Sequence, residues 1–166
     1  MNETDETVGF RQQLQQAPDL RTALALFDTR SAALFDHILF TALRFDHDER
    51  VMTRLYSNRE AVSPTGGTKP IPSGPWADCV IWSGKPYIGL NRLDLKAVFF
   101  DYEALWAEGC GSVMNIPVTR NGVTVGSFNI LGREGQYDVD DAARFSTTAE
   151  LAGSYFVSCD KAGISE

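Results

Sequence analysis

Cys110 stands between Gly109 and Gly111, just ahead of an apolar run, and a thiol in that setting has two readings. With flexible glycines on each side and backbone N–H groups close by, its pKa can fall and the thiolate can act as a nucleophile or redox group. The alternative is a small hydrophobe buried at a turn. No histidine lies near it in the chain to serve as its base. Cys79, on a short predicted helix, reads as packing more than chemistry, with redox or nucleophilic work as its alternative. Cys159 reads as packing or as a contact to a partner helix. Three widely spaced cysteines without a Cys-x-x-Cys pattern point to reduced thiols in a reducing compartment.

Two asparagines carry a different chemistry. Asn115 and Asn129 sit inside apolar, β-branched runs, where strand propensity disfavours them. A buried amide needs partners from backbone, side chain or ligand, so both are candidate ligand contacts or loop-closing groups. Trp76 follows Gly74-Pro75 and is either a core or lid aromatic or a pocket wall whose indole N–H orients a ligand. Arg54 and Tyr56 share one face of a predicted strand under strict alternation. If that face is concave, Arg54 can hold a carboxylate in a bidentate pair; otherwise it is a solvated edge charge.

Other candidates fall away. Lys69, in Gly66-Gly67-Thr68-Lys69-Pro70, lacks the Gly-Lys-Ser/Thr and following helix of a phosphate loop. His37 and His47 have no acidic partners at ligand spacing, so neither a metal site nor a cofactor is expected. Asp138, Asp140 and Asp141 read as helix-capping groups rather than catalytic carboxylates.

These residues need elements to position them. Asn121-Gly122 accepts the positive φ angles of a type I′ turn and separates two β-branched runs, which makes 112–131 a hairpin. Along it Val113, Asn115 and Pro117 face one way, and Val123, Val125, Ser127 and Asn129 alternate with Thr124, Gly126, Phe128 and Ile130. Upstream, the spacing predicts helices over 3–16 and 19–34 and strands over 38–45 and 51–57. The stretch 58–74 has prolines and glycines but no periodicity, as in a binding loop or lid. A short helix over 76–82, a strand over 87–89, and brief helices over 94–99 and 102–107 come next. The last helix, about 139–158, places Phe145, Ala149, Ala152, Phe156 and Cys159 on one stripe. The order is that of an α+β fold with an antiparallel sheet.

The 166 residues suit one domain with a real core, here divided into an extension at 1–18, a body at 19–160 and a tail at 161–166. The net charge of −7 argues against nucleic acid, because no basic stripe replaces phosphate counterions. The acidic start has no signal core and no run is long enough for a membrane span, so a cytoplasmic protein is expected.

On the strand pair 39–45 and 51–57, on the hairpin with its Asn-Ile-Pro-Val and Val-Gly-Ser-Phe-Asn-Ile, and on the final helix, the chain resembles a GAF domain over 19–158. It is similar to the small stand-alone GAF proteins of bacteria. The resemblance implies a PAS-like antiparallel sheet, with N- and C-terminal helices on one face and short helices and loops over the other. It also implies a ligand pocket between the concave face and the 58–110 segment. The Asn-Lys-Phe-Asp-Glu signature of cyclic-nucleotide GAF domains is absent, and so is the bilin-attachment setting of phytochromes. Among GAF enzymes, free methionine-R-sulfoxide reductase places a cysteine near Cys79, but its essential cysteine falls near Trp106, four residues before Cys110. The expectation is therefore a sensory or regulatory module holding a small organic metabolite through Trp76, Asn115, Asn129, Arg54, Tyr56 and Cys110. It would pair as a homodimer through its terminal helices. The competing expectation is a small reductase using Cys110 and Cys79.

Overall fold

The computed structural model describes residues 3–157. Cys159 and the 161–166 tail lie outside the described residues. In chain order the elements are α1 (Glu3–Gln16), α2 (Leu20–Phe35), β1 (Leu39–Asp46), β2 (Val51–Ser57), β3 (Thr68–Pro70), α3 (Pro75–Ala77), β4 (Tyr87–Gly89), α4 (Arg92–Val98), α5 (Tyr102–Ala107), β5 (Ser112–Arg120), β6 (Val123–Gly132) and α6 (Val139–Ala149). A π-helical turn, Asp78–Trp82, continues α3, and a 3-10 segment, Glu150–Phe156, continues α6. The α+β expectation holds. The sheet runs β3-β2-β1-β6-β5-β4, every pairing antiparallel.

Local chemistry sets the ends. Asp19 caps α2 by accepting from the Thr22 N–H, and Asp36 ends it in the left-handed region at φ 50°. Asp138 and Asp141 form a reciprocal capping box that starts α6. Asn121 and Gly122 have φ of 53° and 78°, so the β5–β6 hairpin closes as its dipeptide requires.

One face of the sheet meets α1, α2, α6 and the 3-10 segment. There Phe27 stacks on Phe128 at 4.8 Å, and the Phe145 and Phe156 rings meet Phe128 edge-on at 5.7 and 5.4 Å. α1 contributes Phe10 and Leu14 to this core. The stripe Phe145, Ala149, Ala152, Phe156 on the last helix, which suggested a dimer surface, is buried within the chain's own core. The opposite face is roofed by α3, the π turn, α4 and α5, which pack on it as two separate apolar clusters.

Four expectations need correction. The 58–74 stretch contains a strand, because β3 pairs with β2 over Val51–Thr53. The helix at 76–82 is one α-turn followed by a π turn. The last helix tightens into a 3-10 segment after Ala149. There Gly153 lies so close to β5 that a Cβ would sit 2.8 Å from the Thr119 carbonyl. The fourth concerns register. Ala42 pairs with Tyr56 but Leu43 pairs with Arg54, so Leu55 is an extra residue on β2. That bulge breaks the alternation, and Arg54 and Tyr56 point to opposite faces. A second bulge, at Val125, turns Val125 toward the helix layer instead of the face shared by Ser127 and Asn129.

Candidate functional site

The lid-side face of the sheet is apolar at both ends and polar in the middle. One cluster gathers Leu39, Leu95, Leu105, Cys110, Val113 and Leu131. The other gathers Phe45, Ala77, Val80 and Ile81, with Trp76 against them. Between them four strand side chains make a hydrogen-bonded seam, roofed by the Trp76 indole.

Antiparallel register builds that seam. Asn115 on β5 lies directly across from Asn129 on β6, and Asn129 lies across from Thr41 on β1. The Asn115 amide donates to Asn129 Oδ1 at 2.7 Å, and the Asn129 amide donates to Thr41 Oγ1 at 3.0 Å. Ser127 Oγ adds a second bond to Asn129 Oδ1 at 3.0 Å. From the lid, Trp76 Nε1 donates to Asn115 Oδ1 at 3.0 Å. Asn115 and Asn129 are 1% and 2% exposed, so the lid covers the seam completely. The Trp76 ring also meets Phe45 edge-on at 6.4 Å, which ties the lid to β1. The π turn directly after it is a rare geometry that recurs at functional sites.

The residues singled out from the sequence divide three ways. Trp76, Asn115 and Asn129 are brought together, bonded to one another. Arg54 is on the lid side but reaches the loop instead: its Nη1 donates to the Pro64 carbonyl at 3.1 Å. Its Nε is buried without a partner, and burial lowers the guanidinium pKa against the opposing pull of Asp101 and Glu60. Tyr56 is not part of the site. The Leu55 bulge turns it into the helix layer, where its hydroxyl donates to Asp28 Oδ2 at 2.6 Å.

The cysteines are placed for packing. Cys110 is fully buried in the cluster with Leu95 and Leu105, and burial pushes its thiol up to about 11. Cys79 is raised too, by burial first, and its thiol donates to the carbonyls of Lys85 and Pro86 at 3.4 Å. A nucleophilic cysteine needs the opposite shift. Neither histidine stands beside a thiol: His37 bonds Asp28 and Ser31, and His47 bonds the Thr124 carbonyl. Among the described residues there is no group of three or more His, Cys, Asp or Glu side chains placed to hold a metal.

Thr41 and Ser127 are seam members that sequence reasoning did not select. The available signal was position, since Ser127 is two residues from Asn129 on one strand and therefore on its face. A second polar network was also missed. On the helix side, Ser31 Oγ bonds His37 Nδ1 at 2.8 Å, His37 Nε2 bonds Asp28 Oδ1 at 2.8 Å, and Tyr56 completes it. It has the side chains of a hydrolase triad, but Ser31 is wholly buried, so it ties α2 to the sheet.

A sheet in this order, with helices on one face and short elements over the other, matches solved structures over most of the chain. The GAF domain of an Acinetobacter phosphoenolpyruvate-protein phosphotransferase superposes with a TM-score of 0.72 at 13% identity, over 94% of each chain. The chain has the GAF fold. The GAF domain of a Bacillus halodurans two-component sensor histidine kinase gives 0.62 at 14% identity, over 84% of this chain and 95% of that one. The chromophore-binding domain of a bacteriophytochrome from R. palustris gives 0.65 at 13%, over 92% of this chain and 61% of that one. By sequence, no family model and no curated protein matches. Among the described residues no helix of this GAF fold is long and apolar enough to cross a membrane.

Proposed function

We propose that this GAF-fold protein is a sensory or regulatory module that takes a small organic molecule between the lid-side sheet face and the 58–110 segment. The observation that carries the reading is the polar seam. Asn115, Asn129, Ser127 and Thr41 occupy the middle of an otherwise apolar face under a tryptophan that hydrogen-bonds them. Apolar residues there would be simpler for packing, since buried polar groups add little net stability. A ligand with a donor and an acceptor would replace Trp76 on Asn115 as the lid lifts, and Arg54 would take a carboxylate if the ligand carries one. Cys110 lines the floor as a hydrophobe.

A second reading has one observation in its favour: with the lid closed, the seam satisfies itself and is shielded from solvent. The protein would then be an interaction domain whose core fills its own pocket. Pairing with a second copy is compatible with both, but must use a surface other than the buried stripe of the last helix. Sedimentation velocity at micromolar concentration decides it.

The two functional readings separate in one experiment. Reduced protein is incubated with pooled metabolites, and bound and free fractions are followed by mass spectrometry. A compound retained about one to one, unchanged, supports the module. At about a hundredfold excess over Kd it adds about 2.7 kcal/mol and raises Tm by about 5–10 °C. No retained compound leaves the self-filled domain, and a product accumulating beyond stoichiometry defeats both readings.

A further inference from the structure

A cleft of about 410 Å3 opens at the hairpin end of the sheet, where β1 and the β5–β6 turn meet the end of the 3-10 segment, beside the π turn whose Trp82 ring lies 5.6 Å from His47. Its walls carry Arg44, His47 and Arg120, together with the carboxylates Asp46 and Asp48, beside Val123, Val125 and Phe156. Gly126 makes this wall possible: a Cβ there would sit 2.2 Å from the Phe156 ring, so only glycine lets that ring settle against the sheet.

Among the described residues neither Arg44 nor Arg120 forms an ion pair. Arg44 Nε is buried with no hydrogen-bond partner, in a chain of net charge −7 where carboxylates are plentiful. The two carboxylates that line the cleft are engaged with other groups. Asp46 Oδ1 accepts the N–H groups of Asp48 and Glu49 at 3.1 and 2.9 Å, and Asp48 has an interaction of its own. His47 Nε2 faces the Thr124 carbonyl at 2.7 Å. A carbonyl only accepts, so Nε2 donates to it, and the two arginines are left as the donors of the cleft.

We propose that this cleft binds an oxyanion, a carboxylate or phosphate, borne on a small apolar body. The guanidinium edges supply the fork of donors that a planar or tetrahedral oxyanion accepts, and a buried unpaired Nε–H is the group such an oxyanion would satisfy. Val123, Val125 and Phe156 cover the apolar body, and the volume is that of a metabolite site. The cleft is distinct from the seam under the lid, since none of Asn115, Asn129, Ser127 and Thr41 lines it.

The test is an amide-resolved NMR titration of the full chain with benzoate and with phenyl phosphate, and with benzyl alcohol as the uncharged counterpart. Expected are saturable shifts centred on Arg44, Arg120 and Val125, with benzyl alcohol at least tenfold weaker. R120Q, at an exposed position, should weaken binding about tenfold with the fold unchanged by circular dichroism, and R44K should retain more affinity than R44Q. The tighter of the two acids names the group. The proposal is overturned if sodium chloride at equal ionic strength reproduces the shifts, if they grow linearly without saturation, or if R120Q and R44Q bind as the parent does.

Discussion

Replacing Asn129 by leucine tests the seam most directly, because that one side chain makes three of its four bonds. It accepts from Asn115 and Ser127 and donates to Thr41, at 2.7, 3.0 and 3.0 Å. Leucine is close in volume, so the cavity contribution is small and the hydrogen-bond contribution dominates. The Ser127 and Thr41 hydroxyls are rotors that can re-aim, whereas the Asn115 amide is fixed by its bond to Trp76. One buried group orphaned outright costs about 1–3 kcal/mol, and two partly compensated ones add about 1 kcal/mol together. The net expectation is about 2–4 kcal/mol, a large share of the usual 5–15 kcal/mol for a domain. Urea unfolding followed by far-ultraviolet circular dichroism reads this as a lower midpoint at unchanged slope. The Asn115→Leu, Asn129→Leu double variant should lose less than the sum of the singles, because each removes the other's orphan. If Asn129→Leu is neutral or stabilising, the seam is hydrated or unpaired, and its role as a closed polar layer under the lid is wrong.

Three other outcomes follow from the geometry. Gly126→Ala should destabilise by at least about 3 kcal/mol, since its Cβ meets both Phe156 and the Leu43 carbonyl, and thermal melting measures it. Tyr56→Phe should cost about 2 kcal/mol by removing the donor to Asp28, measured by the same urea unfolding. Stability should fall on the alkaline side. Burial raises Cys110 from 9.0 to about 11 and raises Tyr56 and Tyr137 further, so the native state keeps protons that the unfolded chain releases. The Cys110 contribution is intact below pH 9 and is lost as pH rises toward 11, at up to about 1.4 kcal/mol per pH unit. Cys110→Ser should flatten that part of the melting profile, and an unchanged profile would contradict the assigned burial.

Much of the architecture was legible because it rests on local chemistry. Asn121-Gly122 closes its hairpin unaided, Pro75 opens a helix, and the capping aspartates Asp138 and Asp141 mark where α6 begins. The pairing of Asn115 with Asn129 was foreshadowed by their misfit in apolar strands, and the register confirmed the reason. What stayed hidden depends on a single inserted residue or on distance. Leu55 looks like any strand residue, yet as a bulge it sends Tyr56 to the wrong side for the site. β3 is three exposed residues whose only support is the edge of β2. The Asp28–His37–Tyr56 contacts span 28 positions and leave no periodic trace. Buried Cys110, read from its glycine flanks as a reactive candidate, turned out to be set by the apolar cluster around it.

The strand order carries a consequence for how the chain is assembled. The first three strands in sequence are neighbours on one side of the sheet and the last three are neighbours on the other, and the halves meet only where β1 pairs with β6. The lid leaves from one outer edge at β3 and returns at the opposite edge at β4. A single cut between β3 and α3 therefore severs no sheet pairing and divides the molecule into two contiguous three-stranded pieces. Those pieces share the β1–β6 zipper, the Phe27–Phe128 stack and the Asn129–Thr41 hydrogen bond, while the Trp76–Asn115 bridge stays within the second piece. The first piece carries α1 and α2, and the second carries α6 to close over both. The protein is thus built as two complementary half-molecules, and residues 1–73 and 74–166 expressed as separate chains should find each other through that seam.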